Sequence, residues 1–313
     1  MTCDHILLIG IDAYRAPKTA FMDFDIQPLR SAANDVDALH GIFLRRIGVS
    51  KQAIIKLVAR QGAPRDDEHE ATLANIRQAL ERLTTEVVGP DDRVFIYYGG
   101  HGTRIEDRGI YAAREALVPV DVEGPESVMY DDEVNEILQK IASRTSDVTA
   151  IFDCCFSASV TRGAFTPGHV RTCRVPGLAP RRGNAATRGI VSPRVFPGPT
   201  FGAGRVRETT VYLEDPSDPG YVVVAVAQSS EPAEEVRNAQ GVWHSVFMAA
   251  FLEILERRFV GDICGLRWAD IWPALCAEVS ALNPKQHPCL LGRNERRVFG
   301  GPYQPGEIGR AHV

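Results

Sequence analysis

The sequence predicts an α/β fold with a mainly parallel central sheet and helices on both faces, and three observations lead there. Short apolar runs of strand length alternate with stretches of helical periodicity through the N-terminal half. Those runs are apolar almost throughout, as in strands buried on both faces. Two of them end abruptly in turns carrying His101 and Cys155, at the strand ends where an open parallel sheet holds its ligands.

Taken in order, HILLIGID (residues 5–12) reads as the first strand. Residues 29–47 follow as a helix, with Leu29, Val36, Leu39, Phe43 and Ile47 on one stripe. AIIKLV (53–58) is a second strand, and Leu73, Ile76, Leu80, Leu83 and Val87 mark an amphipathic helix. RVFIYY (93–98) is a third strand, stopped by Gly99 and Gly100. Val134, Ile137, Leu138 and Ile141 mark the next helix, whose Asp131, Asp132 and Glu133 suit a helix N-terminus more than a metal site. VTAIF (148–152) is a fourth strand. The pattern then lapses: residues up to Arg207 include six prolines and eight glycines without a sustained period, so this stretch reads as a long loop or linker. YVVVAVA (221–227) resumes as a strand. Val246, Phe247, Ala250, Phe251, Ile254 and Leu255 give a helix, and residues 288–291 a last short strand. The expectation is one domain interrupted by a long basic linker: a larger region over 1–161, the linker over 162–207 and a smaller region over 208–313.

Composition narrows the function classes. At 44% hydrophobic and 24% charged residues, the chain resembles ordinary globular proteins, not disordered ones. No apolar run approaches the ~20 residues of a spanning helix, and the N-terminus lacks a signal-peptide pattern. Seven cysteines form neither paired CxxC clusters nor an even disulfide set, so a reducing, cytoplasmic setting is expected, without a structural metal. Cys3, Cys173, Cys264, Cys276 and Cys289 read as packing or exposed thiols. The net charge of −5 hides an asymmetry: the linker has nine arginines and no Lys, Asp or Glu, leaving 26 basic against 40 acidic residues elsewhere.

The two strand-end turns carry the chemistry. If their strands are neighbours, the His101 imidazole and a thiol of the Cys154–Cys155 pair meet. A thiol of pKa ~8.5 needs a nearby base to become a nucleophile. His101 can take its proton and later protonate a leaving amine. The Gly102 amide could help hold an oxyanion together with that of Cys155. Asp153 and Cys155, two apart in an extended segment, should face one way and Cys154 the other, toward the core.

YYGGHGTR, followed 54 residues after His101 by the nucleophile position of FDCCFSAS, resembles the caspase and metacaspase superfamily, as in prokaryotic caspase-like cysteine peptidases. LRSAANDVDAL, ALVPVD, DDEVNEIL, AVAQSSEPAEE, GVWHSVFMAAFLEIL and KQHP extend the likeness in the same order. The resemblance implies a caspase-like fold and a Cys155–His101 dyad. It also implies an S1 pocket lined by Asp35 and Asp153, which favours Arg, with Lys second, at the residue before the cleaved bond. Protein or peptide substrates follow, with processing inside the linker by the chain itself or by an upstream activating protease. The candidate positions are Arg171, Arg174, Arg182 and Arg188. Some relatives bind calcium through acids matching Asp131 and Asp132 and another acid seven residues past the nucleophile. Arg162 stands at that last position, which argues against calcium dependence, so no cofactor is expected. Phe156 and Ala158 depart from the usual His and Gly. A bacterial defence or cell-death setting is implied by resemblance alone.

Two other readings compete. One is a catalytically silent scaffold of the same fold that binds partners, against which both dyad residues speak. The other is nucleic-acid binding through the linker arginines, disfavoured by the few interleaved aromatics and the acidic remainder. His244 and His287 carry no signal of their own in the sequence.

Overall fold

The computed structural model describes residues 4–15, 26–85, 88–107, 112–155, 212–213, 220–227, 231–259 and 263–300. The linker over 162–207 lies outside the described residues, and with it Arg171, Arg174, Arg182, Arg188 and Arg162.

The elements run β1 (Asp4–Ile11), α1 (Ala32–Ile42), β2 (Ile54–Ala59), α2 (Leu73–Leu83), β3 (Arg93–Gly99), β4 (Gly102–Asp107), β5 (Ala112–Leu117), β6 (Met129–Tyr130), α3 (Asp131–Ala142) and β7 (Asp147–Asp153). They continue with β8 (Tyr212–Leu213), β9 (Val222–Ala225), β10 (Glu235–Arg237), β11 (Trp243–Ser245), α4 (Val246–Arg258), α5 (Trp268–Leu282) and β12 (Cys289–Leu291). A seven-stranded sheet has the order β2-β1-β3-β7-β9-β12-β8. Its first five strands are parallel, and β12 runs antiparallel to β9.

The near-continuous apolar strands are explained by a core on each side. Ile6, Leu8, Phe95, Tyr97, Ile151, Val222 and Val224 pack toward α1, α4 and α5. Leu7, Ile9, Val94, Ile96, Tyr98, Phe152 and Val223 pack toward α2 and α3. Successive side chains of a strand alternate between the two layers, so the central positions are apolar on both faces with few exceptions. Phe43, Phe95, Phe251 and Phe299 form a buried ring cluster with centroid spacings from 4.9 to 6.2 Å. Truncating one such ring to Ala costs about 3–5 kcal/mol. At Gly10, an added Cβ would lie 2.6 Å from the Ala32 carbonyl oxygen, so glycine allows α1 to seat directly on β1.

Helix α2 starts where the sequence indicates: the Thr72 hydroxyl accepts the Asn75 N–H at 3.1 Å. Helix α1 begins later than residue 29, and its last turn widens into a π-type turn over Phe43–Ile47.

Three features go beyond the sequence reading. The small antiparallel sheet β4-β5-β6 uses segments without a clean apolar pattern, GTRIED and AAREAL, and the hairpin β10-β11 uses three-residue strands too short for a periodic signal. Helix α5 contains Pro273, which removes a backbone donor and argues against a helix there. Burial of Trp268, Ile271, Trp272, Leu275 and Val279 outweighs that loss. In addition, the Trp268 and Ala269 N–H groups are taken up by the Arg296 and Asn294 carbonyls at 3.0 and 2.7 Å.

Candidate active site

Strands β3 and β7 are adjacent and parallel, with Gly99 opposite Asp153. The chain leaves both at the same sheet edge, so His101 and Cys155 each lie two residues past a matched strand end. The Gly100 N–H donates to the Asp153 carbonyl at 3.3 Å, tying the two exits together. Beyond it, a Cβ on Gly102 would sit 2.0 Å from the Cys155 carbonyl oxygen and 3.3 Å from the Cys154 sulfur. Only glycine permits this approach, which brings the His101–Gly102 turn onto the Cys154–Cys155 turn.

His101 is fully buried and held from both ends. Its backbone N–H donates to the Tyr14 hydroxyl at 2.7 Å, and the two rings lie 5.0 Å apart. Its Nε2 is 2.7 Å from the Gln27 carbonyl oxygen. A carbonyl can only accept, so Nε2 carries the proton; in the neutral ring, Nδ1 is then the basic nitrogen.

Cys155 is also fully buried, within the layer under α1, α4 and α5, whereas Cys154 belongs to the opposite layer with Phe152. The two cysteines face opposite layers as expected, but Cys155 is itself packed into a core layer where a cleft position was expected. The Cys155 sulfur accepts the Ala233 N–H, and the Ala233 carbonyl oxygen is 3.8 Å away. Next to His101, the Gly102 backbone lies directly against that of Cys155.

Asp35 and Asp153, 118 residues apart in sequence, are brought into one fully buried cluster. The Tyr97 hydroxyl is 3.0 Å from Asp153 Oδ2 and 3.5 Å from Asp35 Oδ2. The Ser245 hydroxyl donates to Asp153, and the Ser245 N–H donates to Asp35 at 3.2 Å. His244 Nδ1 is 2.8 Å from Asp35 Oδ1. Ser245 is also the N-cap of α4, accepting the Met248 N–H at 2.9 Å, so the positive end of that helix faces the two acids. Burying two carboxylates side by side is costly without such donors.

His244 and Ser245 escaped the sequence reading because the fold alone brings them, about 210 residues downstream, against Asp35. In hindsight, Ser245 gave a faint signal as a capping residue just before an apolar helix. The hairpin that carries them is fastened to the start of α1. The Glu235 carboxylate accepts the N–H groups of Arg30 and Ser31 at 3.0 and 2.9 Å and the Ser31 hydroxyl at 2.6 Å. The guanidinium groups of Arg30 and Arg237 lie 5.2 and 4.9 Å from the centre of the Trp243 ring.

Asp131 and Asp132 open α3, where their carboxylates take the N–H groups of Asp132 and Glu133 at 3.0 Å each. Glu133 is engaged by Arg77 through two hydrogen bonds of 2.6 and 2.8 Å. Among the described residues, no group of three or more His, Cys, Asp or Glu side chains could hold a metal ion. No described helix is long and apolar enough to cross a membrane. Burial pushes the thiols of Cys276 and Cys289 up to about 12, which marks both as packing residues.

The crystal structure of protein GSU0716 from Geobacter sulfurreducens superposes with a TM-score of 0.61, covering 96% of this chain and 99% of that one. At 15% identity this likeness speaks to the fold alone. Metacaspase-1 of Eremothecium gossypii is 30% identical over 160 residues, 49% of this chain and 31% of that protein. Metacaspase-1A of Aspergillus niger is 25% identical over 259 residues, 76% of this chain and 62% of that protein. The chain thus spans less than two thirds of the length of either relative. The family model for the metacaspase, peptidase C14 domain matches residues 5–162, half of the chain, and takes in both strand-end turns. By that match, this chain belongs to the metacaspase family.

Proposed function

We propose that the chain is a cysteine endopeptidase that cleaves after Arg, with Lys the second choice. Cys155 attacks the carbonyl, and His101 accepts the thiol proton and returns it to the leaving amine. Water then hydrolyses the acyl-enzyme. The amides of Gly102 and Cys155 stand nearest the developing oxyanion. The observation that carries this reading is the Gly99–Asp153 pairing, which delivers imidazole and thiol from adjacent strand ends. Family membership supports the same chemistry. Asp35 and Asp153 supply the negative charge that a cationic P1 side chain needs. Their side of the sheet is also that of Cys155.

Processing in the linker over 162–207, at positions such as Arg171, Arg174, Arg182 or Arg188, is the regulatory step we attach to this activity. It requires a chain that cuts after Arg and carries nine arginines in one segment. The test is a fluorogenic peptide panel together with intact-mass analysis of the wild type and Cys155→Ala. Faster turnover of Arg-P1 than Asp-P1 peptides is expected, with linker fragments ending in Arg only where Cys155 is present. Preferential turnover of Asp-P1 peptides overturns the specificity. Equal peptidase activity in Cys155→Ala overturns the assignment of the nucleophile.

A further inference from the structure

We propose that the strap over residues 231–235 belongs to the reaction machinery: the Ala233 N–H is a donor that stabilises the Cys155 thiolate, and Gln286 is the positioning residue that aims it. The inference rests on the reading of Cys155 as nucleophile and adds two groups to it.

The geometry forms a closed circuit. Ala233 is fully buried, and its N–H points at the Cys155 sulfur. The next amide, of Glu234, donates to Gln286 Oε1 at 3.3 Å. Gln286 Nε2 donates in turn to the Val226 carbonyl at 3.0 Å. Val226 N–H donates to the Phe152 carbonyl at 3.3 Å, three residues before Cys155. One fully buried side-chain amide therefore connects the strap back to the strand that carries the thiol. Two further anchors restrain the strap. The Glu231 carboxylate takes the His287 N–H at 2.8 Å and lies 2.7 Å from its Nδ1, and Glu235 is fixed to the start of α1.

The physical need for such a donor is plain. Cys155 lies in the apolar layer, where burial disfavours the thiolate. Cys276 and Cys289 show the effect, being pushed up to about 12. A fixed N–H aimed at sulfur acts in the opposite sense, because hydrogen bonds to the charged form favour it. A strap that merely packed would not need its amide directed at the Cys155 sulfur. The titratable groups that share the thiol's side of the sheet or the strap include His101 after β3, Asp153 on β7, Asp35 in α1, the Tyr97 phenol between those two acids, His244 in β11 and Glu231, Glu234 and Glu235 in the strap.

The test is the rate of Cys155 alkylation by iodoacetamide between about pH 5 and 10. It is followed by peptide mass mapping on the full chain. Gln286→Leu removes the positioning amide. Replacing Ala233 by lactic acid swaps its N–H for an ester oxygen and leaves the side chain intact, so it carries the test if Gln286→Leu does not fold. Both variants are expected to move the inflection up by about one pH unit, making alkylation at neutral pH about tenfold slower. The plateau at high pH should stay within about twofold, since it reports access to the thiol and not its ionisation. Inflections that superimpose on the wild type, whatever the change in melting temperature, overturn the inference. His101→Ala separates the two levels. A wild-type Cys155 that responds to His101→Ala but not to the strap variants removes the strap alone. A wild-type Cys155 that reacts no faster than Cys154 and ignores His101→Ala removes both readings.

Discussion

Replacing Gly102 by alanine tests whether contact between the two strand-end turns sustains the activity. The new Cβ would lie 2.0 Å from the Cys155 carbonyl oxygen, 2.9 Å from its carbon and 3.3 Å from the Cys154 sulfur. Optimal separation for such atoms is about 3.5 Å, so the turns must part by more than about 1 Å. Nothing nearby can yield cheaply. The obstruction is backbone, and seven matched residue pairs, from Arg93–Asp147 to Gly99–Asp153, hold β3 against β7 up to the turns. The displacement therefore concentrates on His101 and Cys155. A 1 Å misplacement of reacting groups costs on the order of 100-fold in rate. Overpacking of this kind costs about 1–3 kcal/mol of stability. Gly102→Ala should thus lower kcat/KM on an Arg-P1 fluorogenic peptide by about 100-fold, with a melting temperature lowered by a few degrees. A variant that retains kcat/KM within about twofold refutes the argument, because the two turns would then not be in rigid contact.

Asp35→Asn keeps the shape of the buried cluster but removes one of the two charges to which we assign the P1 cation. Losing a charge-assisted hydrogen bond of about 1.5–3 kcal/mol should reduce kcat/KM for Arg-P1 peptides about 10- to 100-fold, mainly through KM, and an unchanged KM would count against a pocket role. Glu235→Ala strips acceptors from two backbone amides and one hydroxyl at the start of α1. It should cost about 1–2 kcal/mol, read as a lower urea midpoint with the same slope. The raised thiols of Cys276 and Cys289 give a pH prediction of definite sign. The folded state keeps their protons above the ordinary value of 9.0, up to about 12. Their contribution is therefore complete below about pH 9 and is lost as pH rises toward 12. Urea midpoints measured at increasing alkaline pH should fall less steeply in the Cys276→Ala, Cys289→Ala double variant than in the wild type.

The parts of the fold legible in the sequence are those where one residue type repeats with a fixed period. Strands β1, β3 and β7 are read to within a residue or two because burial on both faces keeps their central positions almost wholly apolar. Helix α2 is read from its apolar stripe, and the Thr72 cap seen in the structure fixes its start. Helix α5 is not, because Pro273 contradicts its apolar content, and only the tertiary burial of two tryptophans decides the matter. At the candidate site, the turns bearing His101 and Cys155 are legible from their glycines and from their place after apolar strands. Asp35 is legible through resemblance. His244, Ser245, Ala233 and Gln286 are not legible, since each acquires its part through a contact spanning 52 to 210 residues of chain. Ala233 contributes only a backbone amide, which no side-chain pattern can report.

The adjacency of β7 and β9 bears on what scission of the 162–207 segment would do to the particle. Four residue pairs, from Thr149–Val222 to Phe152–Ala225, join strands from opposite sides of that segment in the middle of the sheet. Both apolar layers draw on residues from either side of it as well. A nicked chain should therefore behave as a split protein whose halves stay mated, running as two bands after denaturation yet eluting at the volume of the intact chain.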